Sequence, residues 1–431
     1  MTSTLRNILV VVLAVTGFSA QAQTTTTSGS PYSTFGVGNI KGSVLPHNRA
    51  MGGLSAGVRR PGGFFSINPA NPASYSSIQL TTFDIGAYGS FNNLAKGDVS
   101  ETGFNANLSH IAFGIPVSPK SALSFGLIPF SEIGYSFKSP AIIGTDTVNY
   151  VYNGEGGISK AYLGYGVQLG KNVSVGVNAS YLFGKLSRFS SLRLAPTTPG
   201  VSTKVENSTH VGGLSFDYGI QYVANLSSKT RFTLGYSGTA QSKLNSTDNS
   251  FITRFTVDEE GNEGIALDTV YRREGQKAKT VLPLMHTAGF TFERTNKWMF
   301  GADVSLGQWS DYREGDKNPQ LQNTFGVAVG GQITPDVTAV NNYFKLIDYR
   351  LGFKYDKTYV NLQNQDIKQI AITAGLGFPL PSSRSTFYKI NVGAEFGQRG
   401  TLENNLVREK FANIYLAFTL NDKWFQKYKF D

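Results

Sequence analysis

Val173-Ser174-Val175-Gly176-Val177-Asn178-Ala179-Ser180-Tyr181-Leu182-Phe183-Gly184 alternates without a break. Successive side chains of a strand point to opposite faces, so Val173, Val175, Val177, Ala179, Tyr181 and Phe183 share one face. Ser174, Gly176, Asn178, Ser180, Leu182 and Gly184 share the other. The first row suits lipid and the second a polar interior. Trp298, Phe300, Ala302, Val304 and Leu306 repeat the pattern against Gly301, Asp303, Ser305 and Gly307. Tyr388, Ile390, Val392, Ala394 and Phe396 repeat it against Lys389, Asn391, Gly393 and Glu395. A soluble sandwich also alternates, so the rows leave two architectures open.

Connection lengths separate them. The pattern predicts strands near 78–90, 104–117, 121–137, 157–169, 172–185, 209–225, 230–243, 280–294, 297–308, 320–332, 347–356, 365–378, 386–397 and 411–420. Long connections at 91–103, 138–156, 187–208, 244–279, 309–319, 357–364 and 398–409 alternate with brief turns at Ser118-Pro119-Lys120, Gly170-Lys171, Leu226–Lys229 and Thr295-Asn296. One turn, 333–346, is longer than that rule allows. Long connections outside, short turns inside and both termini in the periplasm describe an outer-membrane barrel. The fold class expected is all-β, a transmembrane antiparallel β-barrel of about fourteen strands over residues 78–420.

Composition agrees. The chain has 48 Gly, 30 Phe and 21 Tyr, while charged residues make up only 16%. Cysteine is absent, which excludes disulfides, a lipid-modified cysteine and a thiolate nucleophile. Arg6, the apolar run Ile8–Val15 and the small residues up to Ala22 make residues 1–22 a signal peptide cut before Gln23. That run is far shorter than the roughly 20 residues of a spanning helix. Net charge is +10, or +9 once Arg6 is lost (38 − 29). The basic residues are scattered, as in solvated loops or loops that meet lipopolysaccharide phosphates. No basic stripe offers a nucleic-acid site.

Residues 23–77 break the alternation and are rich in Thr, Ser, Gly, Asn and Pro. Phe35, Leu54, Phe64, Phe65 and Ile67 give them something to pack, so an N-terminal plug-like segment is expected ahead of the barrel. Residues 421–431, with Trp424, Phe425, Tyr428 and Phe430, are expected as a C-terminal periplasmic tail whose aromatic rings suit the inner interface.

Within the plug-like segment, Asn48-Arg49-Ala50-Met51-Gly52-Gly53 is followed by Ile67-Asn68-Pro69-Ala70 and Asn71-Pro72-Ala73. Here the sequence resembles the FadL-type family of outer-membrane hydrophobic-compound transporters. Its opening Ser30–Gly36 and closing Trp424-Phe425 resemble a Bacteroidetes-type branch. The resemblance implies a fourteen-stranded barrel with a plug motif at Arg49, Gly52, Gly53, Asn68, Pro69 and Ala70. It also implies passive uptake of hydrophobic small molecules such as long-chain fatty acids. This chain departs from the pattern at Arg59-Arg60-Pro61-Gly62-Gly63, where family transporters usually carry acidic and small residues. Read physically, proline fixes the Asn-Pro-Ala turn, the asparagine side chains bond nearby backbone, and Gly52-Gly53 allows close approach to a wall.

No catalytic, metal or cofactor site is expected. His47, His110, His210 and His286 are isolated and form no His-x-His or His-Glu-x-x-His pair. Ser109-His110 are neighbours on a strand, which should point them apart, and no Gly-x-Ser-x-Gly occurs. The acidic run Asp258–Glu263 lacks the ligand order of a calcium loop and reads as a solvated hairpin tip between Phe251–Val257 and Ile265–Tyr271. By parity Asp217, Asp303, Lys389 and Glu395 face the lumen, where they fill space and hold the plug by hydrogen bonds.

Pro129 lies in the third strand and cannot donate to a ladder, so Gly126, Pro129 and Gly134 mark a kink. In FadL-type transporters an inward kink of the third strand opens the wall sideways, and the resemblance places a lateral gate here. A sealed bulge that only adjusts curvature is the other reading. Two functions therefore compete: a transporter of a hydrophobic ligand, and an accessory or structural subunit of a larger outer-membrane complex. An apolar luminal pocket would favour the first, and a closed, polar-filled lumen the second. A general aqueous porin fits less well, since inward glycines beside a plug-like segment do not resemble an open polar channel.

Overall fold

In lipid every backbone polar group needs a partner within the protein, which leaves a strand no option but a closed ladder. The computed structural model describes residues 29–144, 146–194, 200–258, 260, 262–381 and 386–424, and its ladder closes. In chain order the elements are β1 (Asn39–Ile40), the helical turn α1 (Pro46–Arg49), β2 (Thr81–Lys96), β3 (Val99–Ser118), β4 (Ser121–Ile143), β5 (Asp146–Leu169), β6 (Val173–Leu194), β7 (Ser202–Asn225), β8 (Thr230–Thr239), β9 (Ser242–Val257) and β10 (Glu263–Leu282). They continue with β11 (Met285–Arg294), β12 (Trp298–Gly307), β13 (Arg313–Glu314), β14 (Thr324–Ile333), β15 (Asp348–Leu362), β16 (Gln365–Pro379), β17 (Phe387–Gly400) and β18 (Arg408–Asp422). Fourteen antiparallel strands make the wall, β2 to β8, then β11, β12 and β14 to β18. It shuts where β18 pairs with β2, from Arg408↔Ala95 to Asp422↔Thr81.

The side-chain rows fall as the alternation requires. Val177, Tyr181 and Phe183 are exposed on the outer surface, while Ser174, Asn178, Ser180 and Leu182 are buried inside. The short turns lie where they are expected, at Pro119-Lys120, Gly170–Asn172, 226–229 and 295–297. The barrel runs from Thr81 to Asp422 instead of 78 to 420, so Asn421 and Asp422 belong to the last strand and not to a tail. The signal peptide, and the tail beyond Trp424, lie outside the described residues.

The long connections need correction. Residues 91–103, 138–156, 187–208 and 244–279 are mostly strand: β2 turns into β3 at Gly97-Asp98, and β4, β5, β6 and β7 reach 23, 24, 22 and 24 residues. About ten tilted residues suffice to cross a membrane. The remainder stands outside, where both faces are wet and the ladder persists without an apolar row. There β9 and β10 prolong β8 and β11 after breaks at Ala240-Gln241 and Pro283-Leu284, pairing with each other from Leu282↔Ser242 to Glu263↔Val257. Their tip is a solvated turn, in which Asp258 Oδ1 accepts from the Glu260 and Asn262 amides.

Candidate functional site

Residues 29–80 carry few regular elements, yet their backbone groups are buried and need partners. Wall side chains from all round the barrel supply them. On β12, Asp303 Oδ2 accepts from the amides of Ser55 (2.7 Å) and Ala56 (2.9 Å) and from Ser55 Oγ (3.2 Å). On β16, Thr373 Oγ1 accepts from the Gly52 amide at 2.8 Å. Gln221 Nε2 of β7 donates to Ala56 O, Asn178 Nδ2 of β6 to Pro69 O, and Asn421 Nδ2 of β18 to Phe65 O.

The two glycines act differently. A Cβ on Gly52 would lie 2.8 Å from Phe353 O, so this residue does meet the wall. Gly53 meets nothing within 4 Å and is required instead for its φ of 93°. The Asn-Pro-Ala motifs close on the chain just upstream: Asn68 Nδ2 donates to Ser55 O and Val58 O, and Asn71 Nδ2 to Ala56 O. Ala70, beside Pro69, borders the luminal cavity described below. Arg59, part of the Arg-Arg departure, is buried and donates to Ser174, Gln221 and Ser76. Arg49 donates to Val44 O and Lys41 O and lies over the Tyr415 ring.

Of the four inward charges, Asp217, Lys389 and Glu395 sit in ion pairs that parity alone does not reveal. Asp217 accepts from Lys160 at 2.6 Å and Glu395 from Lys354 at 2.6 Å. Lys389 donates to Asp348 at 2.7 Å, and Asp348 also accepts from Arg350 at 2.9 Å and Thr334 at 2.7 Å. Arg350 in turn reaches Gln332 and Asn391, completing a polar belt at the short-turn end. Toward the long-strand end, Trp309, Tyr312, Leu321, Tyr359, Val360 and Leu244 form a buried apolar cluster with Tyr32 and Val37 of the N-terminal segment. Between belt and cluster lies a cavity of about 470 Å³. Four ion pairs border it: Lys41–Glu132, Lys160–Asp217, Lys354–Glu395 and Arg399–Glu409.

The wall beside this cavity is interrupted. The β3–β4 ladder stops at Ile111↔Leu127, although β3 continues back to Val99 and β4 on to Ile143. Gly126 lies in the paired part, where a Cβ would come 2.3 Å from Ile111 O. Pro129 follows, with a register shift between Pro129 and Ser131 against β5. Beyond it β1 takes the vacant edge, pairing Asn39 with Glu132 and Ile40 with Ser131, and Gly134 bonds Ser33 Oγ. Glu132 spans the gap from β4. It accepts from Tyr88 on β2 (2.7 Å), from Asn105 and Asn107 on β3 (2.6 and 2.9 Å), and pairs with Lys41 at 3.0 Å.

A barrel whose wall packs against residues 29–80, with one unladdered wall segment, invites comparison with solved outer-membrane channels. The CymD monoaromatic hydrocarbon channel matches with a TM-score of 0.56 at 13% identity, over 89% of this chain and 99% of that one. The Pseudomonas putida toluene transporter TodX matches at 0.57 and 13%, over 90% and 98%, and the Ralstonia pickettii toluene transporter TbuX at 0.57 and 13%, over 89% and 99%. These are likenesses of fold. No curated protein matches by sequence. The model of one protein family, BamG, matches residues 4–431. The chain belongs to the BamG family. This BamG-family protein thus has the barrel fold of FadL-type outer-membrane channels.

One histidine of the BamG-family barrel departs from expectation. Ser109 and His110 do touch, Oγ to Nδ1 at 3.2 Å, because a register shift against Gly86-Ala87 bulges β3 at Ser109 and cancels the alternation. His110 Nε2 meets Asp84 at 2.5 Å, and neither Ser109 nor His110 borders the luminal cavity. Among the described residues no group of acidic and histidine side chains is arranged to hold a metal.

His47, in α1, is buried with no protein partner on either ring nitrogen. Burial, opposed by Asp84 and reinforced by Arg350, His110 and Lys389, pushes its imidazole down to about 4. A released segment would titrate near the ordinary value of about 6.5. The docked segment therefore keeps this contribution above pH ~6.5 and loses it as pH falls toward ~4. Protease protection of residues 29–80 should weaken over that window, and His47→Gln should flatten the profile; an unchanged slope in the variant would contradict this assignment.

Proposed function

We propose that this chain is a structural or accessory subunit of a larger outer-membrane assembly, a barrel whose own N-terminal segment plugs its lumen. One observation carries the reading: the luminal cavity is bordered by four ion pairs. Sites for hydrophobic small molecules are lined mainly by apolar and aromatic groups with a few placed polar ones. A hydrocarbon in this cavity would lie against those charges and return no hydrogen bonds. The apolar cluster at the outer end supports closure as well.

Extraction of the outer membrane in mild detergent tests the proposal. The chain is expected in a particle well above the mass of one barrel and its micelle, with the same partner in each preparation. A lone barrel at every detergent strength would refute it.

A second reading, passage of a hydrophobic molecule such as a long-chain fatty acid, is favoured by the interrupted β3–β4 ladder beside Pro129. Under that reading Gly126–Gly134 is a lateral gate with Glu132 as its latch. Pro129→Val would then slow entry of a hydrophobic probe into cells while leaving assembly intact. Equal entry in wild type and variant removes the gate.

A further inference from the structure

Outside the membrane β4, β5, β6, β7, β9 and β10 form a sheet rising above one side of the barrel. Its last strand, β10, pairs with β9 on one side only. β12 leaves the ladder at Gly307, and β13 touches β10 only at Thr280 and Val281. Among the described residues no strand covers the other edge from Glu263 to Ala278, and Glu263–Lys277 are exposed without exception. Such an edge is a template for another chain.

The side chains on it are not those of a merely solvated hairpin. β10 carries extra residues at its register shifts, and Leu267 and Val270 are left without a β9 partner, as is Ile265 in the first shift. A bulge re-aims the side chain it contains. Ile265, Leu267 and Val270 are 79%, 54% and 59% exposed. Val270 stands roughly 40 Å along the strand from Leu282 at the barrel rim, at about 3.3 Å per residue, which is beyond reach of the acyl chains. Carboxylates nearby are already taken: Glu263 by Lys204, Asp268 by Arg254, Glu274 by Arg272. Arg273, Lys277 and Lys279 have no carboxylate partner among the described residues, which leaves the edge basic.

A second copy of this chain does not fit. Two copies in one membrane are related by an axis along the membrane normal, which sets equivalent strands in the same sense. In-register parallel pairing would place Arg273 on Arg273 and Lys277 on Lys277, a like-charge arrangement that destabilises a sheet.

We propose that the free edge of β10 docks an extended, acidic segment of a different surface-exposed protein, which adds along the strand and covers Ile265, Leu267 and Val270. This deepens the accessory-subunit reading and rests on it. The test uses the full mature chain in detergent and two short synthetic strands, one alternating Glu with Val and Thr, the other with Lys in place of Glu. The acidic strand should bind about tenfold tighter or better, and Arg273→Glu with Lys277→Glu and Lys279→Glu should reverse the preference. Amides between 264 and 279 should gain protection from hydrogen exchange on binding. No binding, equal binding of both strands, or binding indifferent to the charge reversal overturns the proposal. So does charge-dependent binding of lipopolysaccharide micelles without the peptide, which would make the edge a lipid contact. If the charge-reversed variant still extracts in the large particle, the edge is wrong and the accessory reading stands; if wild type extracts alone, that reading fails first.

Discussion

Asp348→Ala should cost about 3–5 kcal/mol of barrel stability, because it strands two cations in the interior. Arg350 and Lys389 both donate to Asp348 Oδ2, and their side chains are only 3% and 7% exposed. The remaining partners of Arg350, Gln332 and Asn391, are neutral, and Lys389 otherwise lies over the Phe64 ring. Removing one carboxylate thus leaves uncompensated charge where water does not reach. The heat-driven shift in gel mobility should fall sharply. Replacing all three charges together, by Asp348→Leu, Arg350→Met and Lys389→Met, should recover most of the loss, since a buried ionic group is often no better than an apolar one of equal volume. A triple variant no more stable than Asp348→Ala would show that the charges hold the segment or the wall in some further way.

Deleting Ser30–Ser77 is expected to have the largest effect on permeability. The wall runs from Thr81 to Asp422 and closes between β18 and β2, and the segment adds to its ladder only at β1, beside Ser131 and Glu132 of β4. Folding should therefore persist at reduced stability, with the wall charges Asp303, Asp217 and Glu395 now facing water. Planar-bilayer conductance should rise from a closed baseline by an order of magnitude or more. A deletion that abolishes the heat-modifiable barrel would mean that contacts such as Asp303 with the Ser55 and Ala56 amides are needed to assemble it.

Much of this was legible from residue order, and the limits have physical causes. Alternation marks a strand only where lipid lies on one side and a lumen on the other, so Val173–Gly184 announced itself. Glu263–Lys277 is harder: both its faces are wet and nothing selects an apolar row, so within the connection 244–279 residue order marks only a short hairpin, Phe251–Val257 and Ile265–Tyr271, and not the length of the strands. Asp217, Asp303, Lys389 and Glu395 follow from parity, but Lys160, Lys354 and Arg350 do not stand out, because their carboxylate partners come from other strands or need the three-dimensional register. Glu132 is the residue least visible from its neighbours in sequence. It lies three residues beyond Pro129 on the very strand whose kink was expected, yet Tyr88, Asn105 and Lys41 gather on it from segments far apart in sequence. Ser109 and His110 mislead for a local reason, since a single bulge is enough to break period two.

A density map of the assembly extracted in mild detergent tests the central claim most directly. The expected map shows protein density against the outside sheet, and a lumen holding the N-terminal segment and water around the four ion pairs. An acyl chain or aromatic molecule in the 470 Å³ cavity, with no partner protein on the barrel, would contradict it.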